Sequence, residues 1–203
     1  MRVRAMMAIC AVLAISAAAV PAQAPMGSAV NLGIAVGSTA SPRLAIDSQL
    51  DLIEGELMGA AKAMPEDKYG FAPSQAIFAP AQKVEFATVR TFGQQAAHVA
   101  QANYYFYSIA SGMPIDPSAG TISKLTKKDD IVAALAGSFA YARKAIATIT
   151  AANAFEVVKS PEPGMLATRA TLAQFAISHA NDHYGQMVEY LRMNGIVPPA
   201  SAK

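Results

Sequence analysis

This sequence predicts an all-α domain, a four-helix bundle with long connections. Four segments place apolar residues at helical spacing. Each is bounded by capping residues, glycine or proline. No internal repeat and no long alternating strand pattern competes with them. The first helix follows Ser41-Pro42, an N-cap and first-turn proline, and carries Ile46, Leu50, Ile53, Leu57, Ala60 and Met64 until Pro65 stops it. The second opens with a capping box, Thr91 and Gln94. Its stripe is Phe92, Ala96, Val99, Asn103, Phe106 and Ala110, closed by Gly112 and Pro114. The third is expected from Thr126, with Asp129 as the box partner and Ile131, Leu135, Ser138, Ala142 and Ile146 facing inward. The fourth spans about Thr168 to Asn194. Leu172, Ala176, His179, His183, Gln186, Tyr190 and Met193 share its face, with Gly195 and Pro198-Pro199 ending it.

The connections are long. Residues 65–90 include the alternating stretch Lys83-Val84-Glu85-Phe86, either a short strand or an extended loop. Residues 151–167 hold Phe155-Glu156-Val157-Val158 and then Pro161 and Pro163-Gly164, and read as non-helical. Such lengths permit a topology other than simple up-down-up-down.

Ahead of the bundle, Arg2 and Arg4 precede an uncharged apolar run from Ala5 to Ala19 and small residues around Val20-Pro21-Ala22. This is the pattern of a secretory signal peptide, expected at 1–22. The run is short for a membrane span, which needs about 20 residues. No lipobox precedes Cys10, so no stable membrane anchor is expected after cleavage. Residues 23–41 read as a flexible tether, 42–199 as the bundle and 200–203 as a tail. The expected location is outside the cytoplasm, in a periplasm.

Signal removal takes away Arg2, Arg4 and Cys10. The mature chain keeps 14 of its 16 basic residues against 14 acidic ones, a formal balance of zero. A nucleic-acid partner, which needs a basic stripe, is therefore not expected. Without cysteine there is no disulfide, thiolate nucleophile or Cys-ligated metal.

Chemistry concentrates in the 3 histidines. His179 and His183 stand one helical turn apart in His179-Ala180-Asn181-Asp182-His183. Their stripe turns inward, and His98 lies on or near the core side of the second helix. Three neutral imidazoles from two helices would form a facial nitrogen site for a divalent metal, with other positions open. A buried histidine can equally be a core residue bonded to a carbonyl. The pattern lacks the glutamate of a zincin, and Asp182 reads as a solvated surface residue or a partner orienting a ring.

The stretches MPEDKYGFAPS at 64–74, VRTFGQQAAHVAQANYYF at 89–106 and HANDHYGQMVEYLRMNGIVPP at 179–199 resemble the DinB-like family. That superfamily also holds the bacillithiol- and mycothiol-dependent transferases. The resemblance covers roughly residues 44–199. It implies a DinB-like four-helix bundle whose metal ligands map onto His98, His179 and His183, and it sharpens the metal expectation. An exported location argues against a thiol cofactor. The stretch Ile77 to Val89 is long for the family and would form an extra flap.

A divalent ion on three imidazoles lowers the pKa of a bound water or thiol, which can then attack an electrophilic small molecule. Zinc is the default ion, and nickel, copper and iron also suit imidazole. Tyr105, seven residues beyond His98, could line the pocket, although Tyr104-Tyr105-Phe106-Tyr107 also suits plain packing. The leading reading is a metal-dependent hydrolase or transferase of a small molecule. The alternatives are a non-catalytic metal-binding or stress-related module, or a bundle that works by dimerising without metal. Gly55, Gly59, Gly93, Gly137 and Gly185 permit close helix approach, within the chain or across a homodimer seam.

Overall fold

The structure, a computed structural model, describes residues 32–74, 79, 82–83, 89–159 and 166–202. The expected signal peptide, the tether up to residue 31 and most of the 77–89 stretch lie outside the described residues. Helices α1 (Pro42–Ala63), α2 (Phe92–Ser111), α3 (Lys128–Ile146) and α4 (Arg169–Met193) form the bundle. A two-stranded antiparallel hairpin joins α3 to α4: β1 (Val157–Lys159) pairs with β2 (Leu166–Thr168), Val158 opposite Ala167. Among the described residues no helix is long and apolar enough to cross a membrane.

The caps follow from the local sequence at three of the four helices. Ser41 accepts the Leu44 amide at 3.1 Å and starts α1. Thr91 and Gln94 make both bonds of a capping box at α2, at 3.3 and 2.9 Å. Thr168 accepts the Thr171 amide at 3.2 Å at α4. Helix α3 differs from expectation. It begins at Lys128 with Lys127 as N-cap and no side-chain cap bond, so the box expected at Thr126 does not form. Asp129 and Asp130 instead put negative charge in its first turn, where the helix dipole favours it.

Nearly every expected stripe residue is buried, from Ile46 to Ala60 on α1 and from Phe92 to Ala110 on α2. On α4, Met193 is exposed and His179 and Gln186 are half-buried. Helix α2 packs on α3 and α4, and α1 packs on α4 and α3. Contact between α1 and α2 is slight, which makes them diagonal partners. The connection from α1 to α2 therefore crosses the bundle end, and so does the one from α3 to α4.

Specific polar contacts lock that order. Arg143 on α3 bridges Asp51 and Glu54 on α1. Buried Asn103 on α2 donates to Ser138 on α3 at 3.1 Å. The Lys128 ammonium donates to the Lys62 and Met64 carbonyls at 2.9 and 2.8 Å, capping the end of α1 from α3. Arg169 donates to the Ala110 carbonyl at 2.9 Å and so caps α2 from α4. The segment after α1 is a 3₁₀ turn, Glu66–Lys68, leading into Tyr69, whose carbonyl accepts the Gly93 amide at 2.9 Å. This seats α2 against the connection and aims His98 at α4.

Candidate metal centre

All three histidines meet at the α2–α4 seam. His98 comes from the middle of α2, and His179 and His183 lie one turn apart on α4. The His179 Nε2 atom is 3.2 Å from His98 Nε2 and 3.2 Å from His183 Nε2. One nitrogen from each ring lies within 4.8 Å of the other two, an arrangement that could hold a metal ion. Ligands about 2.1 Å from an ion stand about 3.0 Å apart at right angles and about 3.4 Å apart at a tetrahedral angle. Both edges through His179 fall between those limits, and three neutral imidazole nitrogens are a donor set that suits a divalent metal. His183 packs edge to face with His98 and with His179, while His98 and His179 are tilted, and the centroids lie 4.6 to 5.1 Å apart.

Electrostatics keep these rings neutral. Burial pushes His98 down to about 4, helped by the Arg90 charge and by His179. Burial also pushes His183 down to about 4, with His179 and His98 adding to it and Asp182 opposing. His179 is lowered by burial and Arg90 against a raising effect of Asp182. Neutral imidazole is the form that ligates metal.

The surroundings of the rings differ. His183 is buried, and its Nδ1 lies 2.5 Å from the Gln95 Oε1, so it donates to that oxygen. Gln95 is 2% exposed and donates from its amide nitrogen to the Gln186 Oε1 at 2.7 Å. Gln186 donates to the Asp182 carboxylate at 3.0 Å. The Nδ1 of His179 is buried and has no hydrogen-bond partner among the described residues.

His98 and His179 form one wall of a pocket of about 510 Å³. The Phe106 ring stands edge-on to His179 and to Phe175, with centroids 5.4 and 5.2 Å away. Tyr105 lines the pocket as the sequence suggests, whereas buried Tyr104 and Tyr107 pack into the bundle. Ile115, Ala119 and Gly120 close the pocket from the α2–α3 connection. Among the described residues no Asp, Glu, Lys or Arg lines it. A larger groove of about 800 Å³ shares Phe175 and runs between the starts of α1 and α4, but among the described residues it holds no titratable group.

The sequence marks the three ligand candidates and leaves Tyr105 between pocket lining and plain packing, but does not mark Gln95 or Phe175. Gln186 carries a signal, as a polar residue on an apolar stripe. Gln95 carries none, because a glutamine in a first helical turn reads as solvated.

Among curated proteins none matches this chain. Among solved structures, a DinB-like protein, YjoA of Bacillus subtilis, superposes with a TM-score of 0.58 at 15% identity. The match covers 78% of this chain and 99% of that one, and shows a shared fold. The sequence profile of the DinB superfamily matches residues 49–187, the stretch that holds all three histidines. By that match this chain belongs to the DinB superfamily.

Proposed function

We propose that this protein binds a divalent metal ion, zinc by default, on His98, His179 and His183, and acts as a hydrolase or transferase on a small molecule. One observation carries the reading: two of the three converging rings form the wall of a solvent-reachable pocket. A purely structural ion would be enclosed on all sides, whereas this arrangement leaves coordination positions facing a cavity. When bound, a divalent ion there supplies a positive centre that polarises an electrophile or acidifies a water.

The chain's own residues supply the rest. The three imidazoles remain neutral because burial and Arg90 disfavour their protonation. Phe106, Phe175 and Ile115 exclude bulk water and give apolar surface to the body of a substrate. Among the described residues the rest of the lining is apolar or uncharged, which suits the apolar body of a small molecule. Tyr105, 44% exposed, can turn its hydroxyl toward a bound molecule. The basic start and apolar run of the N-terminal segment support export to a periplasm, where the protein acts without a thiol cofactor or membrane anchor.

Elemental analysis of the purified protein beside His179→Ala tests the metal. About one equivalent in the parent and none in the variant is expected. Equal metal in both rejects the ligand set. Hydrolysis of aryl esters by the metal-loaded protein, lost in the variant, tests the chemistry. Metal without turnover of any electrophile would favour a non-catalytic metal-binding role.

A further inference from the structure

We propose that the Asp182 carboxylate, acting through Gln186 and Gln95, fixes the tautomer of His183, so that its Nε2 permanently presents a lone pair to the other two rings. Gln95 is then a positioning residue of the triad. This deepens the metal-site reading and rests on it for its consequence, although the tautomer can be observed without any metal.

The polarity of the chain follows from its outer end. A carboxylate accepts hydrogen bonds and does not donate them. Gln186 must therefore turn its amide nitrogen to Asp182, 3.0 Å away, which leaves its oxygen for Gln95. Gln95 must give its own nitrogen to that oxygen at 2.7 Å, which leaves its Oε1 facing His183. A carbonyl oxygen also only accepts, so the His183 Nδ1 at 2.5 Å carries the proton. A neutral imidazole has one N–H, and Nε2, 3.2 Å from His179 Nε2, is left bare. Reversing any member would set two oxygens or two donors against each other. Gln95 is 2% exposed, so it cannot exchange its lost partner for water.

The chain also ties the two helices together where the ligands meet. Gln95 shares α2 with His98, and Asp182, His183 and Gln186 share α4. Asp182 itself is exposed, so the outermost anchor can be altered without opening the core. His179 has no such chain, since its Nδ1 is without a partner among the described residues.

The test uses the ¹⁵N spectrum of the metal-free protein and a zinc titration against a competing chelator. The parent should show His183 as the Nδ1–H tautomer. Gln95→Leu, which keeps the volume and removes the acceptor, should give a mixture of tautomers. It should also weaken zinc binding 10- to 100-fold, the usual effect of losing a partner that orients a ligand. Asp182→Ala, at the exposed end, should change both readouts in the same direction by less, with unaltered helical circular dichroism. An unchanged His183 tautomer in Gln95→Leu overturns the proposal. So does a change in Gln95→Leu with none in Asp182→Ala, because the polarity would then not come from the carboxylate. Should the parent bind no zinc, the metal reading fails while the tautomer result still decides this one.

Discussion

At the scale of single residues, His98 and His183 link folding to proton concentration. In the folded, metal-free protein both are held at about 4, whereas the ordinary imidazole value is 6.5. Between those values the unfolded chain binds more protons, so stability rises with pH across that window. The contribution is complete above the ordinary value and is lost as pH falls toward the folded one. Thermal melts in chelator should show the melting temperature dropping from pH 7 to pH 4, and dropping less in His98→Gln. A variant that loses as much as the parent would show that this ring does not titrate as described. The three histidines were legible from spacing and inward stripe, because a helix converts i, i+4 into a shared face. Their partners were not. The bond from His183 to Gln95 crosses 88 residues of sequence, and only the packing of α2 on α4 creates it.

At the scale of elements, the close contacts of α2 decide how accurately the seam is set. A Cβ on Gly93 would stand 3.0 Å from a Tyr69 ring carbon and 3.2 Å from the Tyr69 carbonyl oxygen. Backbone cannot yield as a flexible side chain does, so Gly93→Val should destabilise the fold by about 1–3 kcal/mol, read as a lower denaturant midpoint. Lys128→Met should cost about 1 kcal/mol, because two carbonyls at the end of α1 lose their donor. A midpoint equal to the parent's would mean that water replaces the ammonium at no cost. Helices α1, α2 and α4 were legible to within a residue or two, since cap residues and periodicity agree there. The α3 start also falls within one residue, but its capping box does not form, because the N-cap is Lys127 and the acidic pair at 129–130 meets the helix dipole without a cap bond. The hairpin was read only as non-helical, since three-residue strands are too short to show an alternation.

At the scale of the whole molecule, the stripes show which face of each helix turns inward but not which helix it meets. The diagonal pairing of α1 with α2 became visible only in the structure, through contacts such as Arg143 with Asp51 and Glu54. A ligand that binds only the folded bundle stabilises it by mass action, by about 2.7 kcal/mol at a hundred times its dissociation constant. Added zinc should therefore raise the melting temperature of the parent and leave His179→Ala unmoved, and a chelator should reverse the rise. An equal rise in both would place the binding elsewhere. The seam has a further consequence in polymer terms. His98 and His179 are 81 residues apart, so one ion gripped by both would close most of the bundle into a ring. In the chain-entropy account, a permanent cross-link of comparable span removes on the order of 4 kcal/mol of freedom from the unfolded chain. The same three imidazoles that could activate a substrate would then serve as a detachable staple, and metal supply would govern how long the protein survives.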